Sequence, residues 1–344
     1  MPHLTRAQLK QALDGLPRVR LAHLPTPLEA CPRFSGRLGG PQIWIKRDDC
    51  TGLAFGGNKA RQHEYILGDA LDRGVDVVIQ GAASQSNQSR QLAAAAARLG
   101  IRCVLMPRKD ARFRPVQGNQ LIARRFGAEI VPIDPSRSAK AAKEAMAEKL
   151  KSEGLTPAIL GMGSERALSL AAVAYVGAYC ELIDQFEAIG AEMPTHIYVT
   201  SQGSTQAGLQ AAATLLGHRT AICGINPMDA RNEAYEPPHV IAEQCMAAAR
   251  LLGFDISVHA QDIRNSTDFV GTDYGQPSAA AQEAADLLAS SEGILVDPVY
   301  SAKGLSGLVA DIREGRLAGS DRVVFLHTGG LPAIFSYADS YDSD

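Results

Sequence analysis

The sequence lacks an excess of charge, a long apolar run, closely paired cysteines and any low-complexity segment or repeat. Thirty-four Lys and Arg against 37 Asp and Glu give a net charge of −3. No global positive field is available to hold nucleic acid or an anionic membrane, so neither is expected as a partner. Cys31, Cys50, Cys103, Cys180, Cys223 and Cys245 include no C-x-x-C pair, a pattern of scattered free thiols rather than a disulfide framework. The longest apolar stretch, residues 167–180, falls short of the ~20 residues a membrane span needs and reads as a buried helix. The opening MPHLTRAQLKQAL has neither the apolar core nor the cleavage site of a secretory signal. The expectation is a soluble, cytoplasmic protein. Neither H-E-x-x-H nor a Cys/His cluster is found, so no metal site is expected. No dinucleotide fingerprint with an acidic partner follows any candidate strand, which speaks against a nicotinamide dehydrogenase.

What is present is an ordinary globular composition, 46% hydrophobic and 21% charged over 344 residues, a length that suggests about two domains. Short apolar runs read as strands at 43–46, 75–80, 101–106, 129–133, 196–200, 220–225, 256–259, 293–296 and 323–327. Helical patterns alternate with them at 60–73, 88–99, 116–126, 138–152, 165–189, 205–216, 234–252, 278–290 and 302–313. Strand–helix alternation of this kind implies an α/β protein whose open parallel sheets carry helices on both faces.

Five loops stand at strand ends, where open α/β sheets bind ligands. Phe55-Gly56-Gly57-Asn58-Lys59 leads into a helix. A lysine at a helix start opposes the helix dipole, and a tight, partly desolvated turn lowers its pKa as a nucleophilic amine requires. Taken alone, the motif reads rather as a Gly-rich loop with a surface lysine. Gln85-Ser86-Asn87-Gln88 offers hydroxyl and amide groups to an anion or a phenolic oxygen, or simply caps a helix. Gly203-Ser204-Thr205-Gln206-Ala207-Gly208 lets backbone N–H groups converge on a phosphate at a helix start. It is neither a P-loop nor G-x-G-x-x-G. Asp297-Pro298-Val299-Tyr300-Ser301 and His327-Thr328-Gly329-Gly330 complete the set.

Together, and in this order, the five loops resemble the pyridoxal-phosphate enzymes of the tryptophan-synthase-β type. The resemblance is to the branch holding 1-aminocyclopropane-1-carboxylate deaminase and D-cysteine desulfhydrase. It runs over nearly the whole chain, from Ile45-Lys46-Arg47-Asp48-Asp49 to Gly330. It implies two domains, a larger one from residues 1–59 and 166–344 and a smaller one from 60–165, with pyridoxal 5'-phosphate in the cleft between them. It implies Lys59 as the Schiff-base lysine and proton carrier, and Asn87 as the donor to the cofactor's phenolic oxygen. Ser86, with Asn87 and Gln88, would meet the substrate. Residues Gly203, Ser204, Thr205, Gln206, Ala207 and Gly208 would hold the phosphate. Tyr300 would lie beside the ring, Thr328 at the ring nitrogen, and Tyr274 would be the second active-site tyrosine. A homodimer acting on a small amino acid is the implied assembly and substrate class.

Two departures from the family pattern stand in the first helix of the motif. Gln62 replaces a second lysine that the family places near the phosphate, removing one charge-assisted contact. His63 replaces an apolar residue and reads as a helix-surface side chain. Within the branch, the deaminases carry glutamate at position 301 and leucine at 328. Ser301 and Thr328 instead match the desulfhydrases, where a good β-leaving group makes a weaker electron sink sufficient. Gln88 points the other way, toward the deaminases. A β-eliminating lyase of D-cysteine type, releasing a 2-oxo acid, ammonia and sulfide, is therefore the expected activity. The alternatives are an L-cysteate sulfo-lyase, if an arginine of the basic loop at 107–115 reaches the cleft, 1-aminocyclopropane-1-carboxylate deaminase, and a non-catalytic amino-acid-binding regulator on the same fold.

Overall fold

The structure, a computed structural model, describes residues 3–83, 85–109, 117–161, 164–232 and 235–338. Helices α1 (Arg6–Asp14) and α2 (Pro32–Leu38) flank β1 (Leu28–Ala30) and precede β2 (Gln42–Arg47) and α3 (Lys59–Asp72). Then follow β3 (Val77–Gln80), α4 (Asn87–Leu99), β4 (Arg102–Leu105), α5 (Gly118–Arg125), β5 (Glu129–Ile130), α6 (Ala139–Ser152) and β6 (Pro157–Ile159). After the long α7 (Glu165–Ala188) come β7 (His196–Thr200), α8 (Ser204–Leu216), β8 (Ala221–Ile225), α9 (Pro238–Leu251) and β9 (Arg264–Ser266). Helices α10 (Ala279–Glu292) and α11 (Ser301–Arg313) and strand β10 (Arg322–His327) complete the fold.

The strands form two sheets. One is ordered β1-β2-β10-β7-β8-β9, the other β5-β4-β3-β6. All pairings are parallel except that of β1, which runs antiparallel to β2 at the sheet edge. Parallel strands buried on both faces must be apolar throughout, and β3, Val-Val-Ile-Gln, is buried at every position. Ile43, Ile45, Tyr198 and Phe325 meet α2, α10 and α11 on one face of the larger sheet. On the other face Ile197, Val199, Val324 and Leu326 meet the α7–α9 layer. Val77, Ile79 and Val104 pack against α6 on the outer face of the smaller sheet. Helices therefore cover both faces of both sheets.

Helix α7 is the central beam. At 24 residues it is long and apolar enough to cross a membrane by length and composition alone, yet most of it lies inside the core. Its alanines let α3, α8 and α9 approach closely; a β-carbon on Gly208 of α8 would come within 2.0 Å of Ala172 O. Ser86, Ser138, Ser164 and Ser278 cap α4, α6, α7 and α10, each accepting a backbone N–H of the first turn.

Two expected strands are not formed: 256–259 and 293–296 carry no ladder. Apolar residues there, such as Val258, Ile294 and Val296, are buried but fill core space without pairing. The edge strand after 256–259 is instead β9, whose Arg-Asn-Ser sequence has no strand signal. Strands β1 and β6, each three residues long, and helices α1 and α2 also went unread.

Candidate active site

Beyond β2 the chain doubles back through residues 48–58 before α3 begins at Lys59. Gly57 N–H donates to Asp48 O at 3.0 Å and to Thr51 Oγ1 at 2.8 Å, and the Thr51 hydroxyl donates back to Gly57 O at 2.8 Å. Gly57 has φ 127°, and a β-carbon on it would come within 2.3 Å of Gln91 Nε2. Only glycine fits this turn. Asn58 N–H donates to Thr328 O at 2.9 Å, tying the loop to the end of β10. Lys59 thus opens α3 at the wall of a cavity. Burial lowers its ammonium to about 8, while the charge of Glu236 pulls the other way. An amine so placed is a nucleophile near neutral pH.

The facing wall is the loop after β7. Ser201, Gln202, Gly203, Ser204 and Thr205 line the same cavity as Lys59, together with Gln62, Gln88, Glu236 and Tyr300. The free N–H groups at the start of the 13-residue α8 favour an anion. Thr205 Oγ1 accepts from Asn58 Nδ2 at 3.2 Å and Gln62 Nε2 at 3.1 Å. Its own hydroxyl hydrogen is left to donate to a ligand. The chemistry of this donor set fits a phosphate, and the amine beside it fits a carbonyl.

A second cavity adjoins Tyr300 and is lined by Ala83, Gln85, Asn87, Tyr274, Asp297 and Tyr337, among others. Asn87 begins α4. Its Oδ1 accepts from Asn119 Nδ2 at 2.9 Å and from Arg90 Nη2 at 3.4 Å. With the oxygen so engaged, Nδ2 is the end free to donate into the cavity, as a phenolic oxygen requires. Arg90 is fully buried and, among the described residues, has no carboxylate partner. It donates to the carbonyls of Ala54 and Gly56, clamping the Lys59 loop to α4.

The turn before α11 hangs on Asp297, whose carboxylate accepts from the backbone N–H groups of Val299, Tyr300 and Ser301 at 3.2, 2.8 and 2.9 Å. Burial, Tyr274 and Asp297 push the Tyr300 phenol well up, so it stays protonated. Ser301 Oγ donates to Gly329 O at 2.7 Å and lies 3.4 Å from Thr328 Oγ1. Lys303 Nζ holds the strap before Tyr274 through Val270 O at 2.6 Å and Asp273 O at 2.9 Å.

The structure brings Lys59, Gln88, Gly203, Ser204, Thr205 and Tyr300 to one cavity and Asn87, Tyr274 and Tyr300 to its neighbour. Ser86 is the N-cap of α4, its hydroxyl engaged with Ser89 N at 3.2 Å. Thr328 is buried beside Ser301. Gln206, Ala207 and Gly208 turn inward along α8; the Gln206 amide bonds Arg264 O at 2.7 Å and Asn265 Nδ2 at 2.7 Å. Their backbone belongs to the helix whose first turn makes the cup. One expectation is corrected: His63 is not on a helix surface. It is fully buried, with neither ring nitrogen hydrogen-bonded, because α3 has α4 and α7 packed against it. Burial first, then the charge of Lys59, lowers its imidazole to about 3, so it is neutral. In the basic loop, Arg108 N–H donates to Ala82 O at 3.4 Å, one residue from the second cavity. Arg112 and Arg114 lie outside the described residues. Glu236, Arg90, Asn119 and Tyr337 were not singled out in the sequence; only Glu236, in the loop that follows β8, occupies a position where a ligand-binding residue would be sought.

The family described as "Pyridoxal-phosphate dependent enzyme" matches residues 19–329. A D-cysteine desulfhydrase of Salmonella typhi is 35% identical over 330 residues, covering 94% of this chain and 97% of that protein. That of Salmonella newport (strain SL254) is 36% identical over the same length. The crystal structure of an ACC deaminase homologue superposes with a TM-score of 0.86 at 32% identity, covering 97% of this chain and 98% of the other. A T.th. threonine deaminase, at a TM-score of 0.59, 21% identity and 96% and 98% coverage, shares the fold. The chain belongs to the family of pyridoxal-phosphate-dependent enzymes.

Proposed function

We propose that this enzyme is a carbon–sulfur lyase of D-cysteine desulfhydrase type. With water, D-cysteine or a near β-substituted relative would yield a 2-oxo acid, ammonia and the β-leaving group. The observation that carries the choice of chemistry is the Ser301–Thr328 pair: two neutral hydroxyls 3.4 Å apart where the deaminases of the branch carry an acid and a leucine. The names and 35–36% identity of the relatives support D-cysteine as first substrate.

Bound cofactor supplies the electron sink that stabilises negative charge at the substrate's α-carbon. Lys59 Nζ, lowered to about 8, would hold the cofactor's carbonyl carbon and, as the free amine, would accept the substrate's α-proton. Gly203, Ser204 and Thr205 would hold the phosphate with backbone N–H groups and hydroxyls. Asn87 Nδ2 would donate to the phenolic oxygen, and Thr328 Oγ1 would serve the ring nitrogen as a neutral partner. Asn87 and Gln88, at the start of α4, and the Ser86 cap present the substrate carboxylate with a helix N-terminus. Tyr300 and Tyr274, with Tyr300 kept protonated, stand where a phenol can give a proton to a departing group.

The division into 1–59 plus 166–344 and 60–165 is part of this reading, supported by the smaller sheet being drawn wholly from 77–159. So is a cytoplasmic homodimer, supported by six free thiols, which suit a reducing compartment, and by exposed Leu295 and Phe335; sedimentation would report the dimer.

A panel of β-substituted D- and L-amino acids, with L-cysteate and 1-aminocyclopropane-1-carboxylate included, tests the function through 2-oxo acid release. D-cysteine is expected to lead. Turnover of 1-aminocyclopropane-1-carboxylate with none of D-cysteine would overturn the assignment, and a lead by L-cysteate would move it to the sulfo-lyase. Borohydride reduction and peptide mapping should label Lys59, and Lys59→Ala should lose both label and turnover.

A further inference from the structure

The cup at the start of α8 contains an acid. Glu236 lines it together with Lys59, Gln62 and residues 201–205. Its carboxylate stands directly over Gly203: a β-carbon built there would lie 1.8 Å from Glu236 Oε2. That is the position from which helix N–H groups draw an anion. Among the described residues lining the cup Lys59 is the only lysine, and Gln62 spends its amide on Thr205 Oγ1 at 3.1 Å. The groups facing Glu236 are Lys59 from α3, Tyr300 from the turn before α11, and Gln244 from α9, which donates to Oε2 at 2.8 Å. Burial raises the carboxyl more than Gln244 and Lys59 lower it. A phosphate ester brings up to two negative charges to the same spot, and like charges in one site are relieved when one of them takes a proton.

We propose that Glu236 is a cofactor-phosphate residue that serves as the neutral acid, its O–H donating to a phosphate oxygen, so that loading takes up one proton from solvent. The inference rests on residues 203–205 being the phosphate cup. Lys59 is then kept for the carbonyl carbon rather than spent as the phosphate's counter-ion. The coupling has a sign: affinity for the phosphate-bearing cofactor tightens as pH falls, by up to about tenfold per pH unit while free Glu236 is ionised and bound Glu236 is not.

The test uses the full chain freed of cofactor and pyridoxine 5'-phosphate, which has no aldehyde and so cannot react with Lys59. Between about pH 7 and 9 the phosphate's own second ionisation (near 6) is complete. Lys59 also titrates in this range, near 8, so calorimetry in two buffers of different ionisation enthalpy should count close to one proton more taken up by the wild type than by Glu236→Gln. Glu236→Gln, which donates without titrating, should show only the uptake and pH dependence that Lys59 contributes, and at least tenfold tighter binding at pH 9. Pyridoxine, lacking the phosphate, should bind both proteins alike. Equal proton uptake by the two proteins, or equal pH slopes in both, would overturn the role of Glu236. Equal affinity of the wild type for pyridoxine and its phosphate would instead overturn the cup itself.

Discussion

Asn87 shows how a single amide is given a direction. Its oxygen is held by Asn119 Nδ2 at 2.9 Å and faced by Arg90 Nη2 at 3.4 Å, so the nitrogen end is left for the ligand. Replacing Asn119 by Asp substitutes an acceptor for that donor and puts a negative charge beside Asn87 Oδ1. The expected result is a loss of about 1–3 kcal/mol at the transition state, roughly five- to 150-fold in kcat/KM. The cofactor's absorption spectrum should shift with it, because the donor to its phenolic oxygen is displaced. Steady-state kinetics with an unchanged melting temperature would separate this from a general loss of structure.

At the scale of elements, α3 is anchored to β2 and α7 by buried charges beneath the Lys59 loop. Arg61 Nη2 meets Asp48 Oδ1 at 2.9 Å and Glu181 Oε1 at 2.8 Å, and Lys46 Nζ donates to Glu181 Oε1 at 2.5 Å. Tyr175 donates to Asp48 Oδ2 at 2.6 Å. Burial works against the Glu181 carboxylate, but the hydrogen bonds and charges of Arg61 and Lys46 prevail and hold it at about 2. A carboxylate whose folded pKa is depressed contributes stability that is complete above its unfolded value, near 4.3, and is lost as pH falls toward about 2. Glu181→Gln leaves Arg61 and Lys46 with one buried acid fewer and is expected to cost about 3–5 kcal/mol at neutral pH. Chemical denaturation of wild type and variant between pH 5 and 2.5 should show the difference shrinking as the pH drops.

At the scale of the molecule, each cavity draws its wall from both sheets. The first takes Gln88 and Gly161 from the smaller one's loops and residues 201–205 from the larger one's, and the second joins Asn87 to Tyr300. A ligand bound there links the two halves. Cofactor at a hundred times its Kd should add ~2.7 kcal/mol to stability. Amide exchange should slow on both sides of the cleft, at 81–88 and at 201–205 together. Protection confined to the larger sheet would contradict a cleft site.

How much of this was legible beforehand follows from the range of the interactions involved. The Gly57–Lys59 turn, the polar loop after β3 and the Gly203–Thr205 helix start are each built from neighbours in the chain, whose backbone demands leave a local signature. The α/β alternation is legible for the same reason, since strand and helix periodicities are local. Ile294 and Val296 mislead because burial alone, without a paired ladder, produces the same apolar run. The charge on the cup was not legible. Glu236 lies 33 residues beyond Gly203 in the sequence, and only the packing of α9 beside α8 brings its carboxylate over that glycine. His63 likewise reads as a polar side chain fit for a surface, and it and Arg90 become buried groups because α3, α4 and the Lys59 loop close on one another. Sequence by itself determined the fold class and the family resemblance, because periodicity and loop motifs are properties of consecutive residues. Tertiary structure decided which distant groups set their charge and orientation, because desolvation and close contact exist only after the elements have packed.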